Sequence, residues 1–210
     1  APILQTIPDD LVLHATGVST SVELNTASLL AWDVIDSLSE LRFEVSLNGN
    51  VLTIDEHSQV SLPSGRHSLH WTAIDSSGNR SESLAQSVVI YPSVGFSQVE
   101  LVAGEGSVVR VPLVFSGPSP DYPVVVNFQW DELLGEVSLE DFDESMDVEK
   151  LQVTISDEDD LAEAALSIVF KDDNLDEANE KLVLSLVSAK VGDDASVELT
   201  LGEEASTKTI

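Results

Sequence analysis

The sequence predicts an all-β chain made of two tandem immunoglobulin-like β-sandwiches. Apolar residues recur with a period of two rather than 3.6, which is the spacing of half-buried strands. Clusters of Gly, Pro, Asn and Ser separate the apolar segments at short, regular intervals, as in sandwich domains. The chain has 210 residues, of which 42% are apolar, so it is long enough for two modest cores.

The period-two segments give the predicted strands. We expect strands over residues 10–15, 41–47 and 68–74 in the first half, and over 108–115, 124–130, 151–155, 165–170 and 182–187 in the second. Turn residues stand between them, at 48–50, 63–65, 76–79 and 116–118. Residues 172–181 are rich in Asp, Glu, Ala and Asn, but they lie between two strand-like segments and are interpreted as a loop.

The predicted domain boundary is at Tyr91-Pro92-Ser93. Residues 88–90 end one strand, Pro92 has no N–H to donate to a sheet, and residues 94–96 begin another strand. The predicted domains are therefore 1–92 and 93–210, each about the length of a seven-stranded sandwich.

The chain is strongly acidic, with a net charge of −29. Residues 1–92 hold 11 Asp/Glu and 3 Lys/Arg, whereas residues 93–210 hold 27 and 6. Nucleic acid is excluded as a partner, because binding it requires basic side chains that neutralise phosphates. Clustered carboxylates instead suit hard divalent cations such as Ca²⁺, or they simply keep a surface soluble.

Cysteine is absent, so disulfides and thiolate metal sites are excluded. Cys-free, acidic β modules are typical of bacterial surface or secreted proteins, so an extracellular, cell-surface or periplasmic location is expected. No apolar segment approaches the roughly 18–20 residues that span a membrane, so direct membrane insertion is not expected.

Residues 72–79 carry a recognisable motif. The residues Thr72-Ala73-Ile74-Asp75-Ser76-Ser77-Gly78-Asn79 resemble the strand-turn signature of HYR-type and related bacterial immunoglobulin-like domains. In such a turn Gly78 can adopt a positive φ and the Asp75 carboxylate can accept from turn amides. The alternative for Asp75 is a cation ligand at the end of the sandwich.

The second half resembles a Calx-beta domain, the module found in sodium–calcium exchangers, in an integrin subunit and in bacterial surface proteins. The landmarks, in order, are Val94-Gly95-Phe96, Ala103-Gly104-Glu105-Gly106, the strand 124–130, Asp141-Phe142, the Asp-rich loop 171–180 and the strand 182–186. Together they cover almost the whole of residues 93–210.

The resemblance implies a Ca²⁺ site built from loop carboxylates at one end of the sandwich. Carried over residue by residue, its candidate ligands are Glu105, Asp131, Asp141, Asp172, Asp173 and Glu177. Asn174 replaces the third consecutive Asp of the exchangers, and the loop after Trp130 departs from the family pattern, so weak affinity is expected. The separate acidic segment 157–160 is interpreted as a solvated turn.

Three function classes remain. The first, an enzyme, lacks any catalytic motif, histidine cluster or cysteine. The second, a carbohydrate-binding module, requires exposed aromatic rings, whereas Trp32, Trp71 and Trp130 lie in or beside predicted strands and are expected in the core. The third is a structural and adhesive spacer that binds Ca²⁺ or, as a metal-free alternative, an acidic spacer of a secreted enzyme. Its expected partners are neighbouring domains of the same polypeptide and a cell-surface protein or glycan.

Overall fold

The computed structural model describes residues 1–55, 57–98, 101, 106–131, 136–172, 181–192, 196–202 and 207–209. Within these ranges the chain is all-β: it contains strands and short 3₁₀ turns but no α-helix. The chain divides into two compact units, Ala1–Tyr91 and Pro92–Ile210, called the first and second modules below. The described residues include no helix with the length and hydrophobicity needed to cross a bilayer.

The first module contains nine strands in its described residues. They are β1 (Ile3–Thr6), β2 (Leu11–His14), β3 (Thr20–Glu23), β4 (Leu30–Trp32), β5 (Arg42–Leu47), β6 (Asn50–Val51), β7 (Gln59–Leu62), β8 (Gly65–Ile74) and β9 (Leu84–Tyr91). One sheet has the order β2-β9-β8-β5-β6, and the pairs β1-β4 and β3-β7 form two small sheets. Asn48 and Gly49, with φ of +50° and +78°, make the tight turn between β5 and β6.

The core of the first module is one cluster formed by all of these sheets. Leu4, Val22 and Ala31 come from the small sheets, and Trp71 and Ile90 come from the large sheet. Alternation along each strand sends every second side chain inward, which is why a period-two sequence buries a continuous apolar layer.

A polar pair lies at the centre of this core. Trp71 and Gln86 are both 0% exposed. The indole Nε1–H of Trp71 donates to Gln86 Oε1 over 2.9 Å, and Gln86 Nε2 donates to the backbone oxygen of Asp9 over 2.6 Å. Since an unpaired buried donor is costly, Gln86 is the residue that makes a fully buried tryptophan tolerable.

The second module is described as two sheets. Its strands are β10 (Ser93–Phe96), β11 (Val108–Phe115), β12 (Val124–Trp130), β13 (Gln152–Ile155), β14 (Ala165–Val169), β15 (Val183–Val191), β16 (Val197–Glu198), β17 (Thr200–Leu201) and β18 (Thr207–Thr209). The orders are β14-β11-β10-β17 and β13-β12-β15-β16, with β18 also paired to β15. Phe96 and Phe128 bring their ring centroids to 6.0 Å across the two sheets.

The strands predicted over 108–115 and 124–130 are confirmed at those residues, and the other predicted strands differ at their ends. Short strands were missed, among them β1, β3, β4 and β7. The expectation that all three tryptophans are core residues is correct for Trp71 and wrong for Trp32, which is 52% exposed. Ala31 is the inward residue of β4, so alternation turns Trp32 outward.

We expect each module to fold alone, because each holds its own apolar layer and its own sheets. Residues 1–91 and 92–210, expressed separately, should each give a cooperative thermal transition by circular dichroism. If the whole chain unfolds cooperatively and neither half does, the modules are not independent.

We also expect Gln86→Ala to destabilise the first module by about 1–3 kcal/mol, because it leaves a buried indole N–H without an acceptor. At about 4–8 °C per kcal/mol for a module of this size, the loss is measurable as a fall in melting temperature. Gln5→Ala, at an exposed position of β1, is the matched control and should leave the melting curve almost unchanged. Equal shifts for the two variants would remove the special role of Gln86.

Candidate metal centre

Backbone hydrogen bonds join three candidate segments at one end of the second module. The backbone N–H of Lys171 donates to the backbone oxygen of Asp141 over 2.9 Å, and its own carbonyl accepts from the N–H of Gly106 over 3.1 Å. The N–H of Phe170 donates to Ser107 over 3.0 Å. The segments that carry Gly106, Asp141 and Asp172 are thus adjacent, although they are far apart in sequence.

Contacts among three aromatic rings join the segments of Asp141 and Asp172 to that of Asp131. Trp130 and Phe142 meet edge to face with centroids 5.3 Å apart, and Phe142 stacks on Phe170 at 5.9 Å. Asp131 directly follows Trp130, Asp141 directly precedes Phe142, and Asp172 comes two residues after Phe170. We call these rings the aromatic clamp. Each ring stands within two residues of one candidate carboxylate, so the ring contacts bring the backbone of those residues to the same end of the module.

Gly106 lies very close to the Asp172 side chain. Its φ is +64°, in the left-handed region that favours glycine. A β-carbon added at Gly106 would lie 2.9 Å from Cβ and 3.4 Å from Oδ2 of Asp172. A larger residue there would therefore displace the Asp172 side chain.

The structure describes three of the six predicted ligands. Asp131 and Asp141 are half-buried and Asp172 is exposed, whereas Glu105, Asp173 and Glu177 lie outside the described residues. Asp141 Oδ2 accepts the backbone N–H of Ser138 over 2.6 Å, as the cap of a 3₁₀ turn. Among the described residues, Asp131, Asp141 and Asp172 do not bring three carboxylate oxygens within 4.8 Å of one another.

The first module holds an acidic group that meets this distance. Asp33, Asp36 and Asp75 each place an oxygen within 4.8 Å of the others, and they are the one such group in the described part of the chain. The Asp33 and Asp75 side chains are only 5% and 7% exposed. The α-ammonium of Ala1 lies 3.8 Å from Asp33 Oδ2 and 3.9 Å from Asp75 Oδ2.

Each carboxylate of this acidic triad also organises a turn. Asp75 Oδ1 accepts the backbone N–H groups of Ser77 (3.0 Å) and Asn79 (2.8 Å), and Gly78 has φ +85°. The predicted capping role of Asp75 is confirmed. Asp36 accepts the N–H and the hydroxyl of Ser76, which ties the 33–36 turn to the 75–79 turn.

Hydrogen bonds lower the pKa of two of these carboxyls. The Asn79 side chain is the main cause for Asp75, with the Asn79 and Ser77 amides adding to it. For Asp33, the amides of Ile35 and Asp36 stabilise the ionised form. The sequence pattern indicates Asp75 alone, because Asp33 and Asp36 lie about 40 positions away and only the tertiary fold brings them to it.

Two other features of the second module lie outside these carboxylate groups. Residues 157–160 are exposed, and Asp157 Oδ1 caps the following 3₁₀ turn by accepting from Asp159 and Asp160. A groove of about 580 Å³ lies beside β12, lined in part by Asn127, Gln129 and Trp130. The Trp130 ring is half-buried and meets Phe142 edge to face, so only part of it is available to stack on a sugar ring.

Comparison with known proteins finds solved structures that resemble the chain at low similarity. No protein-family model and no curated protein matches the sequence. The D00-D0 domain of intimin matches with a TM-score of 0.40 and 11% identity, covering 100% of this chain and 99% of that chain. CBD12 from CALX1.2 matches with a TM-score of 0.38 and 9% identity, covering 99% of this chain and 98% of that chain. Drosophila N-cadherin EC1-4 matches with a TM-score of 0.37 and 13% identity, covering 100% of this chain and 48% of that chain.

The lowered pKa of Asp75 predicts an acid-dependent stability. A carboxyl whose pKa is lower in the folded state stabilises the fold above its unfolded pKa, and that contribution disappears as the pH falls through the folded pKa. We expect Asp75→Asn to lower the melting temperature of the first module at pH 7. The difference from the unaltered protein should shrink as the pH falls from about 4, where the carboxyl of the unfolded chain takes up its proton, through the lower pKa of the folded state.

Melting curves from pH 7 to pH 2 measure this difference. Glu82→Gln, at an exposed carboxylate on the neighbouring loop, is the control and should give a small difference at every pH. A difference for Asp75→Asn that stays constant with pH would show that its charge does not stabilise the turn.

Proposed function

We propose that this chain is a non-enzymatic, structural and adhesive pair of extracellular modules from a larger surface protein, and that its second module binds Ca²⁺ at loop carboxylates. The observation that carries the calcium proposal is the junction around Lys171. There the backbone joins the segments of Gly106, Asp141 and Asp172, and the aromatic clamp holds Asp131 at the same end. The proposed ligands remain Glu105, Asp131, Asp141, Asp172, Asp173 and Glu177.

Charge gives the physical reason for binding. Residues 93–210 carry 27 Asp/Glu against 6 Lys/Arg, so bringing acidic loops together costs electrostatic free energy. A divalent ion offsets that repulsion and links loops from separate strands. Ca²⁺ accepts six to eight oxygen ligands in flexible geometry, which suits loops that contribute one or two carboxylates each.

The expected affinity is weak, at a Kd of about 10⁻⁴–10⁻³ M, as in other extracellular modules. A ligand that binds only the folded state stabilises it by RT ln(1 + [L]/Kd), which is about 1.4–2.7 kcal/mol at a ten- to hundredfold excess. For a module of this length we expect the melting temperature to rise by roughly 4–14 °C in 10 mM Ca²⁺ relative to chelator.

Variants separate the possible sites. Asp172→Asn combined with Asp173→Asn should abolish the rise, whereas Asp159→Asn combined with Asp160→Asn should leave it intact. Asp33→Asn combined with Asp36→Asn tests the acidic triad of the first module. If only this pair of substitutions abolishes the calcium-dependent rise in melting temperature, the calcium site lies in the first module instead.

Two further outcomes decide the function class. Identical melting curves in Ca²⁺ and in chelator for the unaltered protein would contradict calcium binding and favour an acidic, metal-free spacer. Glycan-array binding that persists in chelator would instead favour a carbohydrate-binding module.

A further inference from the structure

An apolar face is exposed on the small β1-β4 sheet of the first module. Ile3 lies directly opposite Trp32 in the antiparallel register, so their side chains share one face. Leu30, two residues before Trp32, points to the same side, while Leu4 and Ala31 point into the core. We call Ile3, Leu30 and Trp32 the β1-β4 face; the three are 56%, 44% and 52% exposed.

The apolar surface continues into the turn that follows β4. Val34 and Ile35 are 78% and 89% exposed, among the most exposed large apolar side chains of the described residues. Asp33 Oδ1 accepts the N–H of Ile35 over 2.9 Å, and Asp36 is tied to Ser76, so hydrogen bonds fix the turn that presents them. Apolar residues held outward on an ordered turn bind without a large ordering cost.

The charge around this surface selects its partner. Asp33 directly follows Trp32, and Asp36 and Asp75 each place a carboxylate oxygen within 4.8 Å of it. The α-ammonium of Ala1 lies 3.8 Å from Asp33, so three carboxylates stand against one cation and the end of the face is negative. A second copy of the chain would bring like charges together, and an anionic lipid surface would be repelled in the same way. The complementary partner is apolar and basic.

The sheet itself indicates the form of that partner. Within the described residues, β1 and β4 pair with each other and with no third strand. An extended segment can add to such an edge through backbone hydrogen bonds while every second side chain meets the face. We propose that the β1-β4 face docks an extended, cationic protein segment in which Lys or Arg alternates with aliphatic or aromatic residues. The proposal specifies the partner class of the adhesive role and does not involve the calcium site.

The test uses the whole chain and a defined peptide of seven residues, lysine alternating with valine and leucine, capped at both ends. Titration followed by two-dimensional NMR should shift the Trp32 indole and the backbone amides of β1 and β4, equally in Ca²⁺ and in chelator. Replacing the lysines by glutamate, or the apolar residues by serine, should weaken binding at least about tenfold.

Paired variants separate the face from general charge attraction. Leu30→Ser combined with Trp32→Ser should weaken binding of the peptide at least about tenfold. Val12→Ser combined with Val51→Ser, at 68% and 60% exposed positions of β2 and β6, should leave it unchanged. Val34→Ser combined with Ile35→Ser provides a second test in the turn if the first pair disturbs the sheet.

Three results would overturn the proposal. Equal affinity of the Leu30/Trp32 and Val12/Val51 variants would show attraction to charge alone. Equal affinity for the lysine peptide and for the peptide with glutamate in place of lysine would show that the face does not select for positive charge. A dimer in sedimentation experiments that is lost in the Leu30/Trp32 variant would assign the face to a second copy. A melting temperature that does not respond to Ca²⁺ would contradict the calcium proposal and not this one, because the two tests share no variant.

Discussion

Alternating burial along the strands is the constraint on which both modules depend. With no cysteine in the chain, no disulfide is available to hold the sheets together, so the inward apolar side chains and the backbone ladders carry that task. Val124, Val126 and Phe128 show the pattern in β12, where each alternate residue is buried. A one-residue slip would expose this whole row, and the register is therefore strongly specified.

Exceptions to the alternation are compensated locally. Gln86 enters the core of the first module because Trp71 and the Asp9 carbonyl satisfy its amide. In the second module, the register shifts between Asn127 and Phe128, and Val187 on the partner strand is left 50% exposed. Bulges of this kind re-aim neighbouring side chains without disrupting the sheet.

Two kinds of interaction place the loops that the strands leave at the ends of each sandwich. Short-range capping is supplied by Asp33, Asp75 and Asp157, each of which accepts backbone amides two to four residues ahead. Long-range placement depends on buried contacts, such as the stacking of Phe142 on Phe170. The acidic side chains therefore have a structural role in their own turns, and a cation or partner would add to that role.

The sequence alone determined the all-β class, the long strands and the turns at Asn48-Gly49 and Gly78, because period-two burial and positive φ are local properties. It also indicated that Asp75 caps its turn, since a capping carboxylate lies within a few residues of its donors. Tertiary structure alone decided that Asp33 and Asp36 join Asp75, that Gly106 faces Asp172, and that Trp32 points outward. Each of these depends on which distant strands pair and in what register, and that is set by packing of the whole module, which no short segment encodes.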